Sequence, residues 1–326
     1  MPAELTRVLT VDLGGTKINA AVITFEEGAS APHLGPVATA PTPAREGAKA
    51  VVAAAVTVAR EALSSTIDKG QHPLAAVGIA SAGVIDSARG VVTDATDALP
   101  GWPGTNLASA FQAEFGVQAS VLNDVHAHGL GEAMFGAGKD RDSLLLVAVG
   151  TGIGGAFVTH GEVLTGARGA AGHIGHVRTA GIPGVEELVC TCGRRGHLEG
   201  FASGPGIAAE LTRRGIPAAS TREVADLANG GSTIALETLI DAGRLTGRAI
   251  GDQLNVVDPH VVAITGGVAS ASGAAGDGWW AALRKGVRES AMDAVGHTPI
   301  VPASAGNHAA LLGAAHFALT ETATEG

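Results

Sequence analysis

Apolar residues along the chain follow two repeating patterns, which together predict a mixed α/β protein. Short unbroken apolar runs bounded by glycine are typical of buried strands, whereas apolar positions three and four residues apart indicate helices with one buried face. We expect strands over residues 8–24, around a turn at Gly14-Gly15, and over residues 74–85, 117–122, 144–158 and 261–268. We expect helices over residues 46–65, 125–135, 234–255 and 308–319, and another that begins near residue 203.

Two stretches repeat the same order of elements, which predicts two related domains. Residues 8–24 and 144–158 each contain a strand, a glycine turn and a second strand. The hinge between the two predicted domains is expected near residues 124–140. We therefore expect an N-terminal α/β domain over residues 1–124 plus about 307–326, and a C-terminal α/β domain with a metal-binding loop over about 125–306. A chain of 326 residues is long enough for two hydrophobic cores.

Composition and charge exclude several classes of protein. Hydrophobic residues make up 46% and charged residues 16%, which indicates a folded chain. The 21 basic and 31 acidic residues give a formal net charge of −10, which disfavours binding to nucleic acid or to an anionic membrane. No apolar run approaches the roughly 18 to 20 residues that span a bilayer, and the N-terminus lacks an export signal. We expect a cytoplasmic protein that binds neither nucleic acid nor a membrane.

Three strands end in glycine turns that are suited to binding phosphate. The turns are Gly14-Gly15-Thr16-Lys17, which follows Asp12, then Gly150-Thr151-Gly152, and Gly266-Gly267. Glycine lets backbone N–H groups approach an anion, and a hydroxyl and an ammonium group add to that preference. The first turn alone is equally compatible with a plain hairpin. A Rossmann domain is disfavoured, because no G-x-G-x-x-G leads from a strand into a helix.

Two histidines and both cysteines have the spacing of a metal site. His176, Cys190, Cys192 and His197 form the pattern H-x13-C-x-C-x4-H, and these donors are typical of a closed tetrahedral zinc site. Four protein ligands leave no open position for water, so we expect the Zn²⁺ to be structural. The alternatives are a redox pair of cysteines and, for His197, a surface histidine.

Five segments in sequence order resemble those of the ROK family, which contains repressors and sugar kinases. They are Asp12 to Lys17, Asn123-Asp124, Val149 to Gly155, Gly172 to His176, and Cys190 to Glu199. The resemblance implies two actin-like (ribonuclease H-like) domains with an ATP and sugar cleft between them, ATP and Mg²⁺ as cofactors, and a homodimer or homotetramer. Repressors of the family carry a helix-turn-helix domain before the first glycine turn; because seven residues precede Val8 in this sequence, we expect no such domain here.

The same resemblance implies roles for individual residues. Asp124 is the expected general base, since phosphoryl transfer needs a carboxylate beside the attacking hydroxyl; the alternative is that it only caps a helix. Asp12 is expected to hold Mg²⁺ through water. The expected ATP-binding residues are Asp12, Gly14, Gly15, Thr16, Lys17, Thr151, Gly152, Gly266 and Gly267. The expected sugar-binding residues are Gly83, Asn123, Asp124, His173, His176 and Glu199.

Position 173 indicates which sugar is bound. Many glucokinases of the family have Glu at this place, whereas bacterial N-acetylmannosamine kinases have the Gly-His-Ile-Gly-His found here. A histidine can donate a hydrogen bond to an amide carbonyl, which a carboxylate would repel. The resemblance therefore predicts a kinase acting on the 6-hydroxyl of N-acetylmannosamine. A glucokinase is the alternative, and a non-catalytic sugar-responsive regulator is less favoured.

Two positions depart from the family pattern. His197 replaces a cysteine that is usual in these kinases, and this change keeps a nitrogen ligand for zinc. Ala98 replaces the asparagine that is usual before the Leu-Pro-Gly-Trp loop of the glucokinases, so that one sugar contact is lost or is made by Asp97 or Thr96.

Overall fold

A computed structural model of the chain describes residues 5–66, 73–95 and 99–324. The strands are β1 (Leu5–Leu13), β2 (Lys17–Glu26), β3 (His33–Leu34), β4 (Ala38–Pro41), β5 (Leu74–Ser81), β6 (Val84–Asp86), β7 (Val91–Asp94), β8 (Ala119–Asn123), β9 (Ser143–Val149), β10 (Ile153–Thr159), β11 (Glu162–Val163), β12 (Val261–Thr265) and β13 (Ile300–Pro302). The α-helices are α1 (Ala48–Ser65), α2 (Leu107–Phe115), α3 (Asp124–Phe135), α4 (Glu199–Ala202), α5 (Gly204–Arg213), α6 (Thr221–Asn229), α7 (Thr233–Val257), α8 (Gly273–Ser290) and α9 (Ala309–Thr324). The predicted mixed α/β class is confirmed.

The elements form two compact units. Unit 1 comprises Met1–Asp140, Val158–Ala171 and Ser304–Gly326, and unit 2 comprises Arg141–Phe157 and Gly172–Ala303. Helix α3 belongs to unit 1, whereas the sequence analysis placed the domain boundary at Asp124, where this helix begins. The reason is packing, because the apolar residues of α3 share a buried cluster with strands β5 and β8 and with α9.

The sheet of unit 1 brings three strand ends to one edge. Its strand order is β3-β2-β1-β5-β8, and β4 also pairs with β2. Strands β1 and β2 form the antiparallel hairpin that the sequence predicted, while β1, β5 and β8 run parallel. Leu13 pairs with Ser81, and Ser81 pairs with Asn123. The carboxyl ends of these strands therefore lie side by side, which is where open α/β sheets bind ligands.

Helices cover both faces of this sheet. On one face, α1 buries Val51, Ala55 and Val58 at helical spacing against β1, β2 and β4. On the other face, α9 packs on β5 and along α3. A Cβ atom at Gly131 of α3 would lie 2.0 Å from the carbonyl oxygen of Ala309, and one at Gly313 of α9 would lie 1.8 Å from a backbone oxygen of α3. The two helices therefore touch backbone to backbone, which only glycine permits at these positions.

In unit 2, the sheet order is β10-β9-β12-β13, and β9, β12 and β13 are parallel. Strand β11 pairs with the last two residues of β10, and these four residues belong to unit 1. The core of unit 2 contains Phe201, Trp279 and Leu283 together with buried residues of α5, α6 and α7. Helices α7 and α8 pack closely at Gly243 and Gly247, where added Cβ atoms would lie 2.4 and 2.0 Å from backbone oxygens of α8.

Most of the predicted elements are present, with three kinds of difference. The predicted strand over residues 74–85 is wrong in its continuity: it breaks after Ser81, because Gly83 has a φ of +103° and turns the chain into β6. The predicted strand over residues 261–268 ends at Thr265. Helices α2, α4, α6 and α8 were not predicted. Within the described ranges, no helix is both long and apolar enough to cross a membrane.

Candidate active site

The first glycine turn is exposed, and Thr42 fixes its backbone by hydrogen bonds. The N–H of Gly14 donates to the carbonyl of Lys17 at 3.1 Å, which closes the turn between β1 and β2. The Thr42 hydroxyl donates to the Gly14 carbonyl at 2.7 Å, and the Thr42 N–H donates to the Thr16 carbonyl at 3.0 Å. Gly15, Thr16 and Lys17 are exposed. The turn therefore offers a hydroxyl and an ammonium group on a fixed backbone.

Asp12 is half-buried at the end of β1, two residues before this turn. Its Oδ2 accepts a hydrogen bond from the side-chain amide of Asn19 at 3.2 Å, and the Thr39 hydroxyl donates to Asn19 Oδ1 at 3.0 Å. Burial raises the pKa of Asp12 above its ordinary value, and the Asn19 hydrogen bond and the charge of Lys17 partly oppose that rise. The carboxylate is thus oriented by a chain of hydrogen bonds that begins on β4.

Asn123, rather than Asp124, is the N-cap of helix α3. Its side-chain oxygen accepts hydrogen bonds from the N–H groups of Val125 at 3.0 Å and His126 at 3.1 Å. Its side-chain nitrogen donates to the Gly83 carbonyl at 2.9 Å and to Asp124 Oδ1 at 3.0 Å. Asn123 therefore fastens the end of β5 to the first turn of α3, and the capping explanation for Asp124 loses its main support.

Asp124 is partly buried at the first helical position of α3. Burial and, next, repulsion from the Asp12 carboxylate raise its pKa to about 6, although the N–H of Val125 and the Asn123 side chain oppose that rise. The structure therefore brings the two predicted carboxylates into electrostatic contact at the carboxyl ends of β1 and β8. A carboxyl group with a pKa near neutrality can exchange a proton with a ligand at physiological pH.

Gly83, which the sequence analysis assigned to sugar binding, lies beside Asn123, whose side-chain amide donates to its carbonyl. It has the left-handed backbone noted above, and a Cβ atom there would lie 2.8 Å from the Asp94 carbonyl oxygen. The indole N–H of the buried Trp102 donates to the Ala82 carbonyl at 3.0 Å and fixes the preceding residue. Thr96, Asp97 and Ala98, for which the sequence analysis discussed a sugar contact, lie outside the described residues.

The other two glycine turns lie together in unit 2. The N–H of Gly150 donates to the Gly152 carbonyl at 2.9 Å, and Gly266 packs so closely that a Cβ atom there would lie 2.3 Å from the Val149 carbonyl oxygen. Thr151, Gly152 and Gly267 are exposed. These turns end the adjacent parallel strands β9 and β12, so the predicted residues share one edge of this sheet.

The N-terminus of helix α5 also reaches this edge, which the sequence analysis did not foresee. The N–H of Gly204 donates to the Gly150 carbonyl at 2.8 Å. Ser203 caps the helix by accepting from the N–H of Gly206 at 3.2 Å. The motif Ser203-Gly204-Pro205 is a recognisable start of a helix, and the positive end of a helix dipole favours anions.

Glu199 is buried and connects a glycine turn with the cysteine loop. Its Oε2 accepts from the N–H of Ile153 at 2.9 Å, and its Oε1 accepts from the Thr191 hydroxyl. The Cys190 thiol approaches Oε1 at 3.7 Å. Because each carboxylate oxygen can accept more than one hydrogen bond, these contacts leave capacity for a ligand hydroxyl.

The four predicted metal ligands converge in unit 2. One ligand atom from each of His176, Cys190, Cys192 and His197 lies within 4.8 Å of all the others. Cys190 Sγ lies 3.5 Å from His176 Nδ1, and Cys192 Sγ lies 3.2 Å from His197 Nδ1. Tetrahedral zinc with two sulfur and two nitrogen ligands has donors roughly 3.3 to 3.8 Å apart. The donor set therefore fits zinc, and the two distances of 3.5 and 3.2 Å are close to this spacing.

The chain between these ligands is a tight loop. The N–H of Cys190 donates to the Arg194 carbonyl at 2.8 Å, and the N–H of Gly193 donates back to the Cys190 carbonyl at 2.8 Å. Gly193 has a φ of +80°, which suits glycine. These backbone hydrogen bonds, together with the contact of Thr191 with Glu199, fix the loop that carries both thiols.

His173 lies next to this cluster. Its ring stacks on that of His176 with centroids 5.9 Å apart and an angle of 14° between the planes, and the His176 ring contacts that of His197 at 5.5 Å. The residue predicted to select the sugar therefore rests on a predicted zinc ligand.

Two buried polar residues of α3 were missed by the sequence analysis. Glu132 is fully buried and accepts hydrogen bonds from the N–H groups of Ala137 at 3.0 Å, Ser304 at 2.9 Å and Ala305 at 2.8 Å. The ring of His126 is also buried, and its Nε2 lies 2.8 Å from the Ala171 carbonyl oxygen. The presence of Glu132 among apolar residues of α3 was a signal that a buried charge needs partners. The sequence could not identify those partners, because most of them are backbone groups distant in sequence.

Comparison with known proteins gives consistent matches over the whole chain. The model of the ROK family matches residues 8–321. The glucokinase of Thermotoga maritima is 30% identical over 327 residues, covering 95% of this chain and 96% of the relative. The N-acetylmannosamine kinase of Yersinia pseudotuberculosis is 32% identical over 265 residues, covering 81% and 84%. A ROK family glucokinase from Streptomyces griseus, solved in complex with glucose and AMPPNP, has a TM-score of 0.76 and 26% identity, covering 97% of this chain and 100% of that one.

Proposed function

This chain belongs to the ROK family and is a sugar kinase with the actin-like ATPase fold, and we propose that it transfers the γ-phosphoryl group of ATP to the 6-hydroxyl of N-acetylmannosamine. The observation that carries the catalytic part is the buried position of Asp124 at the carboxyl end of β8, where burial and, next, repulsion from the Asp12 carboxylate raise its pKa to about 6. The observation that carries the choice of sugar is the histidine at position 173.

In this proposal, Asp124 is the general base. A carboxylate with a pKa near 6 is ionised at neutral pH and is more basic than an ordinary aspartate. The hydroxyl proton of the sugar passes to Asp124 while the hydroxyl oxygen forms a bond to the γ-phosphorus of ATP. The bond between that phosphorus and the bridging oxygen breaks, and ADP leaves with the electron pair.

We assign nucleotide binding to the three glycine turns. The exposed Thr16 hydroxyl and Lys17 ammonium group suit phosphate oxygens, and the turn of Thr151 and Gly152 is adjacent to that of Gly266 and Gly267. The complex of the Streptomyces griseus glucokinase with AMPPNP supports an ATP site in this fold.

Asp12 would hold Mg²⁺ through water. The fit is electrostatic, because the oriented Asp12 carboxylate, with the charge of Asp124 nearby, supplies the negative charge and the acceptor for metal-bound water that a hard cation prefers. When bound, Mg²⁺ neutralises the charge of the β- and γ-phosphates. The N–H donor of Asn19 keeps Asp12 Oδ2 oriented for this purpose.

We assign sugar binding to Gly83, Asn123, His173, His176 and Glu199. Glu199 is held from two sides, so its carboxylate is oriented before any ligand binds. His173 would donate a hydrogen bond to the carbonyl of the N-acetyl group, and its stacking on His176 restrains the ring. A zinc ion bound by His176, Cys190, Cys192 and His197 would rigidify the segment that carries these contacts.

Steady-state kinetics with a panel of sugars and ATP test the proposal. We expect kcat/KM for N-acetylmannosamine to exceed that for glucose, and His173→Glu to shift the ratio towards glucose by at least about tenfold, the value of roughly one hydrogen bond. A wild-type preference for glucose would reject the proposed substrate in favour of the glucokinase alternative. Tight sugar binding with no phosphate transfer would indicate a non-catalytic regulator instead.

A further inference from the structure

His126 connects the helix of the candidate base with the segment of the candidate sugar-selecting residue. It is the third residue of α3, and only 1% of it is exposed. Its backbone N–H donates to the capping oxygen of Asn123, and its ring Nε2 lies 2.8 Å from the Ala171 carbonyl oxygen. A carbonyl oxygen can only accept a hydrogen bond, so Nε2 carries the hydrogen.

Ala171 immediately precedes the segment from Gly172 to His176. The N–H of Ala171 donates to the Thr165 carbonyl at 3.0 Å, so this residue is held at both its N–H and its carbonyl. On the other side, the segment is pressed against β10. A Cβ atom at Gly172 would lie 2.1 Å from the Gly155 carbonyl oxygen, and one at Gly175 would lie 2.2 Å from that of Ile153.

The segment therefore has little freedom once Ala171 is fixed. The N–H of Ile174 donates to the Gly172 carbonyl at 2.6 Å, and the N–H of His176 donates to the His173 carbonyl at 3.0 Å. A change in the direction of the Ala171 carbonyl would be transmitted through the Gly172 peptide to His173, because the following backbone is a rigid turn.

We propose that His126 is a positioning residue for sugar selectivity, acting through Ala171 on His173. This proposal rests on the proposed function, since it assumes that His173 contacts the sugar. The backbone of His126 is bound to the cap beside Asp124, so this one residue contacts both the start of the helix that carries the base and the carbonyl that precedes Gly172. His126 itself does not touch the reacting atoms.

Two substitutions separate this role from a purely structural one. Gln can place its side-chain N–H₂ near the position of histidine Nε2, whereas Asn is shorter and cannot reach the Ala171 carbonyl. We expect His126→Asn in the full chain to reduce the ratio of kcat/KM for N-acetylmannosamine over glucose by about tenfold, the value of roughly one hydrogen bond. We expect His126→Gln to restore that ratio to within about twofold, and the KM for ATP to be unchanged in both.

Hydrogen exchange gives a readout that does not depend on activity. Amides of residues 171–174 should exchange faster in His126→Asn than in the wild type and in His126→Gln. An unchanged sugar ratio and unchanged exchange in His126→Asn, with only a lower Tm, would overturn the inference. If the wild type prefers glucose, the proposed substrate fails, while the effect of His126→Asn on the ratio and on exchange still decides whether His126 positions this segment.

Discussion

Asn123 donates a hydrogen bond from its side-chain amide to Oδ1 of Asp124 over 3.0 Å, and its amide oxygen caps the helix that Asp124 begins. The N–H of Val125 donates to the same Oδ1 at 2.9 Å. Both donors bind Oδ1, so they orient the carboxyl group and leave Oδ2 without a contact from either of them. We therefore expect Oδ2 to be the oxygen that accepts the proton of the substrate hydroxyl.

Asp124→Asn should abolish phosphoryl transfer with little effect on binding. The amide keeps an oxygen at the Oδ1 position but cannot accept the proton, so kcat should fall by about 10²- to 10⁴-fold. A coupled ADP assay and calorimetric titration with the sugar measure the two effects. Asp252→Asn, an exposed position on α7, is the matched control. Activity above half that of the wild type would mean that another group is the base.

The pH dependence of kcat/KM should show an acidic limb set by Asp124. The base must be ionised, and its pKa is about 6, so the rate should fall about tenfold per unit as the pH decreases below that value. Repulsion from Asp12 contributes to the raised pKa. Asp12→Asn should therefore move the limb to lower pH, even if the rate is reduced throughout. A limb that stays in place in this variant would exclude the electrostatic coupling.

The same carboxyl group should destabilise the folded chain at neutral pH. Because its folded pKa is raised from 3.8 to about 6, the folded state binds the proton more tightly than the unfolded state. Protonation of Asp124 therefore contributes up to about 3 kcal/mol to the free energy of unfolding. This contribution is complete below about pH 4 and is lost as the pH rises through about 6. Asp124→Asn should raise Tm at pH 8 and leave it unchanged at pH 4. An equal Tm shift at both pH values would contradict this linkage.

Zinc should be bound at one ion per chain, as measured by elemental analysis of purified protein. Cys192→Ser and His197→Ala should each lose the ion and lower Tm, because each removes one of four ligands. His197→Cys should retain it, since thiolate is an equivalent ligand. His160→Ala, an exposed histidine in unit 1, serves as the control. Full zinc content in His197→Ala would show that His197 is no ligand.

Glu132→Ala should destabilise unit 1 by about 2 to 4 kcal/mol, because it removes a fully buried carboxylate that accepts from the backbone N–H groups of Ala137, Ser304 and Ala305. Glu132→Gln should cost less, since one terminal atom still accepts. Urea unfolding measures both, and Glu61→Ala on the exposed side of α1 is the control. A loss equal to that of the control would show that other groups satisfy these amides.

Local patterns in the sequence specified much of the fold, and contacts between distant residues specified the rest. Unbroken apolar runs located β1, β2, β8 and β9, and the spacing of His176, Cys190, Cys192 and His197 located the cluster because these residues share one short loop. Helix α8 was missed even though Trp279, Leu283 and Val287 follow helical spacing.

Other features had no local signal. The break at Gly83 could not be seen, because it depends on the left-handed φ of a single residue. Glu132 and His126 bind backbone groups far along the chain. Every residue has such backbone groups, so the residue types in the sequence do not show which one is the partner. Close helix contacts at Gly131 and Gly313 likewise appear only when both helices are in place.

The packing of α9 against α3 and β5 has a consequence for biosynthesis. The first core to be translated lacks one of its layers until residues 309–324 leave the ribosome, because that helix covers the second face of the first sheet. Unit 2 has all its residues by Ala303. Since domains form as their residues become available, the C-terminal unit can complete its core before the N-terminal one does. We therefore expect the helix that carries the base to gain its final packing only once α9 is present, because the two helices share one buried cluster.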